Sequence, residues 1–374
     1  MPRTSRPTDY YLHTLPGIEG IAWEEVQERV DSATLDGFKV VPGRNGIVLF
    51  STLADPADLT AVRTGEDLFW TMARVPEVPW GREGLSMMSD QLMQLVSVNH
   101  GLNLLGSLRT LPSNKPVTFR VISRMAGKNQ PYRRKDLADM VTRVVRQRTR
   151  RQWRAVREGE QIEIWANLLG RELLLGMRLS DEGMRHRPYQ QVHLPASLRP
   201  SMAAALVRLT RPDANDVFLD PLCGTGTILI ERGLYGRHGL LIGGDIDQAA
   251  VMAAQENIGP RHKPRELLLW DAQQLPLADG SVDCVASNLP FGKQLSRPRD
   301  LPVLYQGLCA EIDRLLSPRG RAVLLTSEIR RLRDALEEQQ GLVLRRSYSV
   351  SLLGQRATIQ IVERSPAYSH DQEV

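Results

Sequence analysis

Asp220, Asp245 and Asp271, glycines at 224 and 226, and Asn288 with the Leu289-Pro290-Phe291 after it are the residues whose types and spacing could do chemistry. Val217-Phe-Leu-Asp220 reads as a strand that passes through Pro-Leu-Cys223-Gly224-Thr225-Gly226 into a helix beginning at Thr227. Glycine in such a connection lets the backbone approach a ligand closely. The helix N-terminus presents free N–H groups and partial positive charge. A GxG after a strand also occurs in ordinary βα turns, so the loop alone is weak evidence. The next strand, residues 240–245, ends in an acid 25 residues after Asp220, suited to accept hydrogen bonds from two ribose hydroxyls. Residues 266–271 read as a further strand ending in Asp271, within reach of an adenine amino group. Ligands of open α/β sheets bind outside the carboxyl ends of the strands. Acids at three successive strand ends therefore predict a nucleoside-cofactor site made by Asp220, Cys223, Gly224, Thr225, Gly226, Thr227, Asp245, Asp271 and Asn288. Cys223 is read as packing within the loop, since no step requires a covalent cysteine.

The second element is Asn288-Leu289-Pro290-Phe291, just past a strand over 282–287. An exocyclic amine on a purine is a poor nucleophile because its lone pair is delocalised into the ring. Two carbonyl acceptors that grip its hydrogens can orient the lone pair toward an electrophilic methyl group. The Asn288 side chain and the Leu289 backbone carbonyl could supply them, with Phe291 stacked on the base. The same residues also make an acceptable turn. A nicotinamide dehydrogenase would want a longer GxGxxG loop and has no use for this segment.

The elements that must position these residues follow from the pattern. From residue 198 onward, short apolar strands alternate with helices: helix 201–209, strand 217–220, helix 227–234, strand 240–245, helix 248–257, strand 266–271, strand 282–287, helix 303–316, strand 321–326. That alternation predicts a mostly parallel, doubly wound sheet, closed by a hairpin of 343–350 and 357–362 around Gly354. Upstream, residues 9–78 read as a β-α-β-β-α-β unit of the ferredoxin-like kind. A breaker-rich stretch, Val75-Pro-Glu-Val-Pro-Trp-Gly, marks a boundary. A helix over 89–108, a strand over 117–122, a helix over 134–150 and a hairpin of 162–167 with 172–177 come next. Residues 185–195 are polar and punctuated by prolines, as in a linker, and the end of the chain from residue 366 reads as disordered.

Charge is uneven. Between Arg120 and Arg157 there are 13 Lys/Arg against two Asp, whereas the whole chain carries only +5, so the remainder is net acidic. On the 134–150 helix, Leu137, Met140, Val141, Val144 and Val145 recur at core spacing, while Arg143, Arg146 and Arg150 keep their own spacing on another side. Such a run is either a solvated face or a polyanion site. No apolar run approaches a membrane span and the N-terminus lacks a signal-peptide core. The three cysteines form no CxxC and no histidine belongs to a Cys/His cluster. A cytoplasmic protein without a structural metal is expected.

Residues 197–374, with the glycine loop, Asn288-Leu-Pro-Phe and Leu198-Arg-Pro-Ser-Met-Ala-Ala-Ala-Leu206, resemble class I S-adenosylmethionine-dependent amino-methyltransferases of the N/D-P-P-F/Y group. Residues 79–180 resemble a THUMP RNA-binding domain. The combination is similar to the TrmN-like tRNA guanine-N2 methyltransferases, with Phe291-Gly-Lys-Gln and Gly320-Arg-Ala-Val-Leu-Leu-Thr adding to the match. The resemblance implies an α/β chain: a ferredoxin-like domain (9–78), a THUMP domain (79–180), a linker (181–196) and a Rossmann-like methyltransferase domain (197–374). It implies S-adenosyl-L-methionine as cofactor, catalysis by Asn288, Leu289, Pro290 and Phe291, and a tRNA guanosine at position six of the acceptor stem as target. It assigns Lys128, Arg133, Arg134, Lys135, Arg143, Arg146 and Arg150 to the RNA, gripping the acceptor end while the catalytic domain acts a fixed number of base pairs away. A monomer with no obligate protein partner and no membrane is expected. The family pattern has proline where this chain has Leu289; the role there belongs to a backbone carbonyl, so the side chain is free to change. Ribosomal RNA is an alternative substrate, and a catalytically silent tRNA-binding protein is an alternative of another class. A DNA adenine methyltransferase would need a target-recognition segment that is not found after the catalytic motif.

Overall fold

The computed structural model describes residues 6–41, 44–111, 116–127, 131–195, 197–291, 301–352 and 354–365. The chain divides into two compact units, Met1–Thr14 with Ala22–Met184, and Leu15–Ile21 with Arg185–Val374. The division after Met184 falls within the expected 181–196 connection.

In chain order the N-terminal part runs β1 (Thr8–Thr14), α1 (Glu19–Arg29), β2 (Thr34–Val41), β3 (Asn45–Thr52), α2 (Pro56–Thr60) and β4 (Asp67–Val75). It continues with α3 (Glu83–Leu95), α4 (Val98–Leu108), β5 (Thr118–Ala126), α5 (Arg134–Arg148), β6 (Arg154–Ala155), β7 (Ile162–Leu169) and β8 (Glu172–Arg178). The described residues of the first unit hold an eight-stranded sheet in the order β2-β3-β1-β4-β8-β7-β5-β6. β4 pairs antiparallel with β8, from Phe69↔Arg178 to Val75↔Leu173. The hydrogen bonding thus runs across the sequence boundary expected at 78/79, and one buried cluster includes Tyr10, Val26, Val141, Ile164 and Leu175.

Two local expectations need correction here. The helix expected over 89–108 starts at Glu83 and is broken: Val96 and Ser97 are extended, with ψ of 119° and 101°. The break leaves the Val96 carbonyl free to accept from Arg148 Nε at 2.9 Å, and buries both Val96 and Val98. Periodicity cannot see such a break, because apolar spacing resumes on the far side. The short β6, parallel to β5, was not expected at all.

Helix α5 follows the sequence pattern closely. Leu137, Met140, Val141, Val144 and Val145 are buried, while Arg133, Arg134, Lys135, Arg143, Arg146 and Arg150 are exposed. Asp136 Oδ2 accepts from the Arg133 amide at 2.7 Å and closes the first turn. Arg150 and Arg151 then turn the chain with φ of 50° and 63°. Lys128 lies outside the described residues.

The second unit contains α6 (Pro200–Thr210), β9 (Val217–Asp220), α7 (Thr227–Tyr235), β10 (Leu240–Asp245), α8 (Gln248–Ile258) and β11 (Arg265–Leu269). Then come β12 (Val282–Asn288), α9 (Leu301–Leu315), β13 (Leu316–Thr326), α10 (Ile329–Glu337), β14 (Leu342–Leu352) and β15 (Gln355–Arg364). Its described residues form a seven-stranded sheet, β11-β10-β9-β12-β13-β15-β14. The strands from β11 to β13 are parallel; β15 pairs antiparallel with β13 and β14. This is the doubly wound sheet expected, with the closing hairpin around Gly354. Helix α10 was not expected: its sequence is mostly charged, and its buried stripe is only Leu332, Ala335 and Leu336. Among the described residues no helix is long and apolar enough to cross a membrane.

Truncating Leu137, which is fully buried, should cost about 2–5 kcal/mol through lost transfer energy and a residual cavity. Urea unfolding of Leu137→Ala followed by tryptophan fluorescence checks this, with Arg143→Ala, on the exposed face, expected to be nearly neutral.

Candidate active site

The strand order places a topological switch between β9 and β12. From β9 the chain proceeds outward through β10 and β11 on one side, and through β12 and β13 on the other. A crevice opens at the carboxyl ends of the strands at such a point. Asp220 ends β9 and Asn288 ends β12, so the two residues singled out by type face the same crevice. The backbone register of β9 with β12 is Cys284↔Phe218 and Val285↔Leu219. Beyond it, Ser287 Oγ donates to Asp220 Oδ1 at 2.8 Å in a buried hydrogen bond.

The loop after β9 is built from backbone constraints. Gly226 caps α7 with φ of 77°, a left-handed conformation costly for other residues, and a Cβ there would meet Ala254 Cβ at 3.1 Å. Gly224 also has positive φ, 51°, with open space where its side chain would be. Its amide donates to Asp245 Oδ2 at 3.0 Å, and the Cys223 amide donates to Gly244 O at 2.9 Å. Trp270 Nε1 donates to Pro221 O at 3.0 Å. The segments that follow β9, β10 and β11 are thereby tied together.

These parts surround a cavity of about 550 Å³, bounded by Asp220, Cys223, Gly224, Thr225, Thr227, Asp245, Asp247 and Asn288, with Leu194, Ser197 and Leu198 among its other walls. Seven of the expected cofactor residues, namely Asp220, Cys223, Gly224, Thr225, Thr227, Asp245 and Asn288, border it. Gly226 does not; it shapes the helix start. Asp271 does not border it either. β11 ends at Leu269, and Asp271 lies two residues beyond, exposed, accepting from the amide and side chain of Gln273. Its apolar run misled the reading, because Trp270 turns inward to reach Pro221 instead of continuing the strand. Leu289, Pro290 and Phe291 lie outside the cavity walls. Leu289 is buried and Phe291, half-buried, packs against the core cluster around Phe218 and Leu229.

Asp245 Oδ1 accepts from the Asp247 amide at 3.1 Å, so each of its oxygens holds one bond and keeps a free lone pair. Asn288 Oδ1 is buried and has no hydrogen-bond partner among the described residues. A buried carbonyl left without a donor is unfavourable. Burial, with Asp220 and Asp245 adding to it, drives the Cys223 thiol well above its ordinary range. It is a neutral packing group rather than a nucleophile. Sequence reading missed Ser287, Ser197 and Asp247. Ser287 carried a faint signal, as a hydroxyl in an otherwise apolar stretch next to Asn288.

Burial also pushes the Asp220 carboxyl up to about 7, opposed by hydrogen bonds from Ser287 and Leu222 and reinforced by Asp245. Among the described residues no cation pairs with it. The cavity thus sets two carboxyl groups, Asp220 and Asp245, beside a glycine turn that leaves room for close backbone approach.

Residues 187–357 match the family model described as "RMKL-like, methyltransferase domain". The chain is similar to the tRNA (guanine(6)-N(2))-methyltransferase THUMP3 of Bos taurus, 30% identical over 238 residues that cover 59% of this chain and 47% of that protein. It spans about half the length of the curated relatives it matches first, 46–54%. Among solved structures, TrmN from Thermus thermophilus is 24% identical, with a TM-score of 0.77 over 96% of this chain and 100% of that one. A methyltransferase complexed with SAH is 16% identical, with a TM-score of 0.67 over 96% and 98%. At these identities the likeness establishes the fold alone, a Rossmann-like α/β sheet domain preceded by a further α/β unit.

Because the folded-state value of Asp220 lies above that of an unfolded aspartate, folding favours its neutral form. That contribution to stability is complete below about pH 4 and is lost as pH rises through about 7. The ligand-free protein should lose thermal stability over this window, and Asp220→Asn should flatten the Tm–pH profile there. An unchanged profile would mean that the carboxylate is not desolvated.

Proposed function

We propose, from the match of residues 187–357 to the RMKL-like methyltransferase domain family, that this chain methylates the exocyclic N2 amine of a guanosine in tRNA, at position 6 of the acceptor stem, using S-adenosyl-L-methionine. The observation that carries the chemistry is Asn288 Oδ1, a buried acceptor without a partner among the described residues, on the wall of the switch-point cavity. The choice of base and RNA is supported by the likeness to the tRNA (guanine(6)-N(2))-methyltransferase THUMP3.

S-adenosylmethionine would supply an electrophilic methyl group on a sulfonium centre. Asp220 would hold its cationic side and Asp245 its ribose hydroxyls. The backbone at Cys223, Gly224 and Thr225 would lie against it, with Thr227 at the start of α7. Asn288 Oδ1 and the Leu289 carbonyl would accept hydrogen bonds from the target amine and turn its lone pair toward the methyl group. Phe291 would stack on a base drawn out of its helix, the usual way an enzyme reaches an atom inside a duplex. Alignment of two reactants in one pocket supplies most of the rate in such a transfer.

The RNA would be gripped by the exposed face of α5. Arg133, Arg134 and Lys135 crowd the helix N-terminus, where the dipole is already positive. Asp136 offsets only one of these three charges, and a phosphate would meet the rest. Arg143, Arg146 and Arg150 extend the cationic face along the helix. These residues position an RNA without reading its sequence. We assign residues 9–78 to a ferredoxin-like domain and 79–180 to a THUMP domain, the two sharing one sheet. The protein is placed in the cytoplasm as a monomer, a reducing setting that suits its free, buried Cys223, Cys284 and Cys309.

Incubation with labelled S-adenosylmethionine and bulk tRNA or rRNA, followed by nucleoside mass spectrometry, should yield N2-methylguanosine in tRNA. Asn288→Ala should abolish it while cofactor binding persists. Methyladenosine would refute the base, and label confined to rRNA would refute the substrate. Combined charge reversal at Arg133, Arg134 and Lys135 should weaken tRNA binding and lower the slope of log K against log salt by about one for each phosphate no longer held; an unchanged slope would remove the α5 surface from the RNA interface.

A further inference from the structure

Among the described residues Asn288 Oδ1 has no hydrogen bond to hold it, so the placing of this side chain leans on its backbone. On the N-terminal side that backbone is the β12 ladder, ending with Asn288↔Leu325. On the C-terminal side the Leu289 amide donates to Leu325 O at 2.9 Å, one bond beyond the ladder. A proline at 289 would have no N–H to make it. Next, Tyr305 of α9 donates its hydroxyl to Pro290 O at 3.2 Å. The same hydroxyl shares a 2.6 Å hydrogen bond with Thr326 Oγ1 at the end of β13, and Thr326 Oγ1 accepts from the Glu328 amide at 2.9 Å.

The donors can be assigned. Pro290 O can only accept and the Glu328 N–H can only donate, so Thr326 must donate to Tyr305. The result is a one-way chain, Glu328 N–H to Thr326 Oγ1, Thr326 to Tyr305 Oη, Tyr305 to Pro290 O, with each hydroxyl used as both donor and acceptor. Leu289, Tyr305 and Thr326 are all fully buried, so water does not compete for these bonds. The Leu289–Pro290 peptide, whose carbonyl is one of the two acceptors for the amine, is held on both sides: by the Leu289 amide and by the Pro290 carbonyl.

We propose that Tyr305 is a positioning residue for methyl transfer: with Thr326 it clamps the Asn288–Phe291 turn so that the Asn288 side chain and the Leu289 carbonyl meet the amine together. The proposal rests on the reading of that turn as the amine grip. Tyr305 does not border the switch-point cavity; it acts through backbone. Its effect belongs to kcat, because the cavity walls and the RNA-binding face are left as they are.

The test compares wild type, Asn288→Ala, Tyr305→Phe, Thr326→Val and Thr326→Ser with S-adenosylmethionine and tRNA. Tyr305→Phe and Thr326→Val remove a hydroxyl at nearly constant shape. Each should lower kcat about 10- to 100-fold, the scale of a misplacement near 1 Å, with KM for tRNA and affinity for S-adenosylmethionine close to wild type. Thr326→Ser should restore the rate, and the double variant should be no slower than the slower single one. Wild-type kcat in Tyr305→Phe, alongside an inactive Asn288→Ala, would overturn the clamp alone. Full activity in Asn288→Ala, or no transfer by wild type, would overturn the amine grip and the clamp with it. Should Tyr305→Phe not fold, Thr326→Val decides the matter by the same kcat and KM criteria.

Discussion

The buried hydrogen bond from Ser287 Oγ to Asp220 Oδ1 joins the two halves of the site. It lies where the pairing of β9 and β12 runs out, after Val285↔Leu219. On one side is the carboxylate that begins the glycine loop; on the other is Asn288, next in chain to Ser287. A parallel sheet places both strand ends at the same edge, and the reversal of strand order at this pair leaves room between the loops. Everything else in the second unit serves that edge. α7 starts at Gly226 so that the turn stays close to α8, and Trp270 reaches back to Pro221.

The site carries a polar cost that a ligand would relieve. Among the described residues, Asp220 is buried and hydrogen-bonded but has no cation beside it, and Asn288 Oδ1 has no donor. Buried polar atoms are rarely left unsatisfied in a folded protein. Here the two lie on one cavity wall and differ in what they require, one a positive charge and the other an N–H. That division fits a two-substrate reaction, with a charged donor and an amine acceptor meeting at the switch point. The thiol of Cys223, kept neutral by its surroundings, does not compete.

In the first unit the same principle of divided faces appears on one helix. The apolar side of α5 lies within a cluster that also includes residues of β1, β7 and β8, while its basic side is exposed. The core residues anchor the helix strongly enough to tolerate like charges along its other face. Arg133, Arg134 and Lys135 gather where the helix dipole disfavours them, with Asp136 as the acid of the same turn.

Short-range pattern alone determined much of this protein. The alternation of apolar strands and helices after residue 198, the glycine loop at 224–226, the acids at 220 and 245, Asn288, and the two-faced spacing of α5 were all legible, because each depends on residues within a turn or a strand of one another. Other features depend on partners far apart in sequence. The pairing of β4 with β8 across the expected domain boundary, the break at Val96–Ser97 that Arg148 completes, and the inward turn of Trp270 that leaves Asp271 outside the cavity are of this kind. So are the bonds from Ser287 to Asp220 and from Tyr305 to Pro290, which sequence reading passed over. A hydrogen bond needs its two atoms within about 3 Å, and only the packing of strands and helices decides which distant residues come that close.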